Sequence, residues 1–474
     1  MKKNWKRVTA ALLSGALALS LAGCMPTNQS APASEGAAPA ASQAGGTEAT
    51  TAAAIEAGSL EVNTTDPISM RMNWWGGDNR HQATLNAIAA FEEAHPNIDV
   101  EAEYESFTGH EEKIALALRS GSAADVLQLN MDWVFNYSPD GSVFTDLNSL
   151  SNIIDLSGYS QEDLDYFTTN GVLQALPVSN TGRVFFWNKT VFDNVGVKIP
   201  TTLEELYAAG EAFANYEDGS YYPLIVKELD RMILMVYYLQ CVYGKPWVEN
   251  YELQYTKEEI VEGLEWLTEL EERHVIPTLE VLAGDGSELI DTNQRWIDGH
   301  YAGIYMWDSN LLKHQQAAEG FEFVVGDFIE MGDYHGGMSK ASMVFAIPRT
   351  SEHPAEAAAL IQFLLGEKEG VEILADTRGI PANSKALEYL DLSDSLTAEA
   401  NAKMVEWTQF RFDPVFERAA LKNADGTYYL AMQMLSYGQE DADGVADYLM
   451  SDINKQLESP QEKGFLEGSP PGCT

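Results

Sequence analysis

The segment Ile68-Ser-Met-Arg-Met-Asn-Trp74 alternates apolar and polar residues, the period of two that a half-buried strand requires. Apolar residues at helical spacing follow, Leu85, Ile88, Ala89 and Phe91 within 79–95, before Pro96 stops the run. Ile98-Asp-Val-Glu-Ala-Glu-Tyr104 alternates again, Thr108-Gly-His-Glu111 reads as a capping box for a helix through Leu118, and 125–129 is a third strand. This β-α-β-α-β opening constrains the fold most, because strands joined through helices lie parallel with right-handed crossovers, in a mostly parallel sheet. The pattern recurs. Strands are expected at 183–187, 221–226, 302–306, 321–325 and 342–347, with capping boxes at 202–205 and 256–259. Helices are expected at 232–242, from 256 to about 272, and at 354–365, 367–376, 397–409 and 428–457. Alternation over so long a stretch exceeds one sheet core, so the fold class is α/β with two lobes, and a cleft between lobes is the usual place for a small ligand.

The front of the chain has a different character. Lys2, Lys3, Lys6 and Arg7 precede an uncharged apolar run over 8–21, the layout of an export signal and too short to span a bilayer alone. Leu21-Ala22-Gly23-Cys24 resembles a bacterial lipobox, so cleavage after residue 23 is expected to leave a lipid on Cys24. Residues 24–66, rich in Ala, Ser, Thr, Gly and Pro, then read as a disordered tether. With no later run of about 20 apolar residues, the expected location is outside the cytoplasm, held to the outer face of the cell membrane by the lipid.

The chain has 29 basic and 72 acidic residues, and removal of the four basic residues of the signal takes the net charge from −43 to −47. Such a charge argues against nucleic acid or an anionic lipid surface as partner. Of three cysteines, Cys24 goes to the lipid, Cys241 sits in an apolar stretch and reads as a core residue, and Cys473 lies in the tail 459–474, so no disulfide framework is expected. The eight histidines show no HExxH spacing, and G-x-S-x-G, Walker and G-x-G-x-x-G motifs are missing, so no metal, cofactor or catalytic residue is expected. Asp441-Ala-Asp443-Gly444 lacks the further ligands of a calcium loop and reads as a turn between helices.

At Trp74-Trp-Gly-Gly-Asp-Asn-Arg-His81 the chain resembles family 1 extracellular solute-binding proteins, the sugar-binding components of ABC importers related to maltose-binding protein. Further segments fit that family in order: 91–98, 121–126, Leu176-Pro-Val-Ser-Asn-Thr-Gly-Arg-Val-Phe-Phe-Trp-Asn-Lys189, 197–202, Gly336-Gly-Met-Ser-Lys340, and Ala346-Ile-Pro348. The resemblance implies a type II two-lobed binding-protein fold with crossings near 177–182, 336–342 and 390–397. One lobe would hold 67–179 with 340–390, the other 180–339 with 391–458. It also implies a monomer that captures a sugar or oligosaccharide and delivers it to ABC permease subunits. A secreted carbohydrate-active enzyme and a lipid-anchored adhesion or scaffold protein are the other readings. The former needs only two suitably spaced carboxylates, a requirement that so many acidic residues make uninformative.

Sugars offer apolar ring faces and hydroxyl rims, which aromatic planes and short polar side chains recognise. In an α/β fold such groups belong just after strands. That rule selects Trp75, Asp78 and Arg80 after the first strand, Glu105 after the second, and Asn130, Asp132 and Trp133 after the third. Asn180 and Arg183 lie at the first crossing, Trp307 and Asp308 after the 302–306 strand, and Lys340 beside the second crossing. Asp132 is favoured for the ligand carboxylate that the resemblance implies, and Trp307 for its stacking aromatic. Each has a bland alternative. The indoles suit a core, Asp132 and Asp308 suit helix caps, and Arg80 suits an ion pair or a first helical turn.

Overall fold

A computed structural model describes residues 58–458, apart from 108, 250, 287, 288 and 394. The export signal, Cys24, the first part of the tether and the tail with Cys473 lie outside the described residues. Residues 58–65, expected to belong to the tether, are bound to the folded body instead. Gly58 N–H donates to Ser149 O at 2.9 Å, Asn63 N–H to Glu356 Oε1 at 2.8 Å, and Asn152 Nδ2 to Leu60 O at 2.7 Å. Leu60 and Val62 add apolar contact with the core, which the polar composition around them concealed.

The fold is α/β. Strand Ile68–Trp75 lies between Ile98–Glu105 and Val126–Leu129, parallel to both, as the opening pattern requires. Beyond Val126–Leu129 the sheet turns antiparallel, which corrects the expectation of a mostly parallel sheet. Met338–Ala346 pairs antiparallel with Val126–Leu129 on one side and with the long strand Leu176–Asn188 on the other.

That long strand organises the molecule. Its first half, 176–182, pairs with Met338–Ala346. Its second half, from Arg183 to Asn188, pairs with Gly303–Trp307 and Phe323–Val325. One continuous strand thus serves two successive sets of neighbours, and the change occurs at Gly182 and Arg183. The sequence pattern reveals only the second half, 183–187, because Pro177 and Gly182 punctuate the first. Opposite Ser179 the partner strand bulges around Ala341–Val344, so that Ser342 and Ser179 hydroxyls meet and Ser179 also donates to Arg378 O at 2.5 Å.

Other boundaries shift for local reasons. The expected 221–226 strand reduces to bridges at Tyr222 and Ile225, since Pro223 cannot donate to a ladder. The expected 428–457 helix is two, Thr427–Ser436 and Ala442–Leu457, separated around Gly438 (φ 62°) and restarted by Asp441, whose side chain accepts from Gly444 N–H. Thr256 and Glu259 form a complete capping box for Lys257–Glu272. Thr202 caps Leu203–Ala214, but Glu205 turns to Thr201 rather than closing the box. The helix His110–Ser120 is preceded by Gly109 at φ 80°, and the expected Thr108 cap lies outside the described residues.

The strand that ends in Trp307 is fixed by a close approach at its other end. Gly303 faces Trp187, and a Cβ there would come within 2.2 Å of the Trp187 ring and 2.8 Å of Pro223 O. Gly303→Ala should therefore destabilise the fold by at least ~1–3 kcal/mol, read as a lower urea midpoint. An unchanged midpoint would show that Trp187 does not constrain this strand.

Candidate ligand-binding cleft

Trp307 and Arg183 are directly opposed across paired strands, so their side chains share one sheet face. Lys340, opposite Thr181 on the other neighbour of the long strand, joins them. The Arg183 guanidinium carbon and Lys340 Nζ each lie 4.7 Å from the centre of the Trp307 ring, within range of favourable cation–π contact. Phe412 completes the group at 5.4 Å from the indole with a 40° tilt.

Charge around the indole is arranged rather than merely present. Arg183 is buried, forms an ion pair with Asp230 and donates to Tyr305 O at 2.9 Å. Lys340 and Lys422 both donate to Glu417 Oε2, at 2.8 and 2.6 Å. Burial alone pushes the Glu417 carboxyl up, but the two ammonium groups outweigh it and hold it down at about 2. Burial likewise works against the Lys422 charge, and Glu417 and Asp132 reverse the effect. One carboxylate thus serves two ammonium groups, one of which, Lys340, lies over the Trp307 ring, while Asp132 and Glu111 also act on Lys422.

Asp132 belongs to this electrostatic neighbourhood. Burial raises its carboxyl to about 7, with Lys422 and Lys340 pulling it down and Glu417 and Glu111 pushing it up. Asn130 Nδ2 donates to Asp132 Oδ1 at 2.5 Å. The residues just after the third strand and those beside the second crossing therefore share one field.

The remaining candidates fall elsewhere. Trp75 and Trp133 are 7% and 2% exposed and pack on each other at 5.2 Å, with His110 and Phe107 filling in around them. Of the three expected indoles, Trp307 is the one left half-buried. Glu105 pairs with His110 Nδ1 at 2.9 Å and accepts from Lys113 at 3.1 Å. Burial keeps His110 below the ordinary histidine range despite Glu105. Asp308 is enclosed, accepting from Thr181, from Asn401 Nδ2 at 2.7 Å and from Ser309 N–H at 2.7 Å, so it ties the strands to the helix Leu396–Trp407.

Asn180 lines a separate cavity of about 480 Å³, bounded also by Asp163, Asn401 and Arg411, with Arg411 Nη2 2.9 Å from Asp163. Asp78 is exposed at the first position of helix Asp78–Ala94. Arg80 turns back to donate to Trp75 O at 3.3 Å and Thr377 O at 3.2 Å.

Sequence reasoning missed Phe412, Glu417 and Lys422. They lie in or beside Arg411-Phe-Asp-Pro-Val-Phe-Glu-Arg418, an aperiodic stretch whose aromatics and alternating charges around a proline were the available signal. Asp230, the partner of Arg183, opens an apolar helix and carried no local sign of its role.

Residues 86–405 match the family model for bacterial extracellular solute-binding proteins. The chain belongs to that family. A curated relative, an uncharacterised ABC transporter extracellular-binding protein of Pyrococcus horikoshii, is 23% identical over 305 residues, 61% of this chain and 67% of that protein. Among solved structures, a periplasmic oligogalacturonide-binding protein of Yersinia enterocolitica is 30% identical with TM-score 0.75, covering 83% of this chain and 100% of that one. A periplasmic solute-binding protein of Pectobacterium atrosepticum is 33% identical with TM-score 0.75, covering 83% and 99%.

A de novo designed cysteine esterase also superposes, at 29% identity and TM-score 0.77 over 83% and 98% of the two chains. Among the described residues the one cysteine, Cys241, is fully buried, and burial pushes its thiol up to about 11. The solute-binding protein thus shares its two-lobed α/β fold with periplasmic binding proteins. Among the described residues, no helix is long and apolar enough to cross a membrane.

Proposed function

We propose that this solute-binding protein captures an acidic oligosaccharide, a chain of uronate residues, and delivers it to an ABC permease. The observation that carries the reading is the Trp307 indole with Arg183 and Lys340 each 4.7 Å from its centre. A sugar ring stacks on an aromatic plane, and a uronate adds a carboxylate that an ammonium group beside that plane recognises. The 30% identical Yersinia enterocolitica protein, solved also in complex with saturated digalacturonic acid, supports the acidic class.

In this reading one lobe is 67–179 with 340–390 and the other 180–339 with 391–458. The exchange of partners along the long strand at Gly182 and Arg183 is where they hinge. Closure is a population shift, favoured by contacts that form only when both lobes touch the ligand. Cleavage after residue 23 and lipidation of Cys24 hold the protein to the outer face of the cell membrane, as a monomer, with the tether giving reach.

Titration calorimetry against digalacturonate and its neutral counterpart, digalactose, tests the ligand class. The expected result is at least ~100-fold preference for the acid, since charge-assisted hydrogen bonds to one carboxylate contribute about 3 kcal/mol. Equal affinity for the two, or preference for the neutral sugar, rejects the acidic reading.

A further inference from the structure

We infer that Arg80 and Arg378 form a second carboxylate subsite, so that the ligand carries at least two acidic groups and is read as a di- or longer uronide. The inference rests on the uronate reading above and specifies its substrate. In a chain this acidic, arginines find carboxylates readily. Arg71, Arg183, Arg231, Arg273 and Arg411 each have one as ion-pair partner. Among the described residues, no ion pair reaches Arg80, Arg349, Arg378 or Arg418; of these four, Arg378 is the one that is buried.

Arg378 is 3% exposed and is held only by neutral groups, donating from Nε to Gln128 Oε1 at 2.9 Å and from Nη2 to Thr84 Oγ1 at 2.7 Å. Its Nη1 is buried without a hydrogen-bond partner. Arg80 donates only to the backbone oxygens of Trp75 and Thr377. A buried cation with no counter-charge is costly, and Arg378 also feels the charge of the half-buried Arg80, so the pair concentrates positive potential that an incoming anion relieves. Burial and the neighbouring Arg80 together pull the Arg378 guanidinium down to about 9, the sign of a charge lacking its complement.

The surroundings suit an anion. Arg80 lies in the first turn of the 17-residue helix Asp78–Ala94, whose N-cap Gly77 offers no side-chain oxygen to its free N–H groups. This helix start follows directly on Trp75, at the same end of the parallel strands as Asn130 and Asp132, which follow Leu129. Backbone there is open as well, since a Cβ at Gly77 would meet nothing within 4 Å.

The test measures affinity for galacturonate, digalacturonate and trigalacturonate in the natural protein and in Arg80→Gln, with sulfate against chloride at equal ionic strength as competitor. The natural protein should gain at least about ten-fold from mono- to digalacturonate, and sulfate should erode that gain. In Arg80→Gln the gain should vanish while the weak affinity for galacturonate persists. Arg378→Lys, verified as folded by circular dichroism, should give the same loss in part; if it does not fold, the Arg80 variant still decides. A mono-to-di ratio untouched by Arg80→Gln overturns the subsite and leaves the uronate reading standing. Failure of uronates of every length to bind overturns both.

Discussion

Trp307→Ala should weaken digalacturonate binding by at least about ten-fold, because a stacked sugar face and the indole that holds two cations are lost together. The variant should fold, since Trp307 is only half-buried at the end of its strand. Arg183 keeps Asp230 and Lys340 keeps Glu417 as partners. The loss should therefore appear in affinity and not in the thermal midpoint. Trp307→Phe, which retains a smaller aromatic plane, should recover part of it. Unchanged affinity in a folded Trp307→Ala protein removes the indole from the site.

The second large effect concerns two carboxyls of this neighbourhood, Glu417 and Asp132, whose contributions to stability have opposite pH dependence. Glu417 is held at about 2 in the folded chain against an ordinary 4.5, so its ionised form stabilises the fold above about pH 4.5. That contribution, of order ~3 kcal/mol, is lost as pH falls from about 4.5 towards 2. Glu417→Gln should therefore be destabilising at neutral pH by roughly this amount, with the difference shrinking in acid. It also releases Lys340 and Lys422 from their shared anion, so affinity for a uronate should rise while the fold weakens, a combination that a purely structural Glu417 does not give.

Asp132 runs the other way. Its carboxyl rises from 3.8 to about 7, so the folded chain keeps a proton that the unfolded chain releases, and stability falls as pH climbs between those values. Asp132→Asn should remove that slope and stabilise the protein by up to ~4 kcal/mol at pH 8. Urea denaturation of both variants from pH 3 to 8 measures the two slopes. Parallel stability curves for the variants and the natural protein contradict the assignment of these carboxyls.

Much of the fold was legible because local periodicity and packing agree. The first three strands and their helices alternate as read, and the Thr256–Glu259 box caps its helix. What escaped was set by distant pairing. Leu176–Asn188 is one strand only because two different sets of neighbours hydrogen-bond to it in succession, and no window of sequence contains them. The antiparallel half of the sheet has the same origin.

The candidate site divides similarly. Trp307, Arg183 and Lys340 were identifiable as polar or aromatic residues at strand ends and crossings, and the fold brings them together. Trp75 and Trp133 obeyed the same rule yet are buried against one another, since the rule places a residue at an edge without saying what else arrives there. Glu417 lies far along the chain from Lys340, and Arg378 from Gln128 and Thr84, and their importance comes from charge balance, which has no one-dimensional signature.

A crystal structure of the protein with digalacturonate tests the central claim most directly. It should show one sugar ring lying flat on Trp307, with its carboxylate at Lys340. A ligand bound elsewhere, with the Trp307 face left uncovered, would contradict the account.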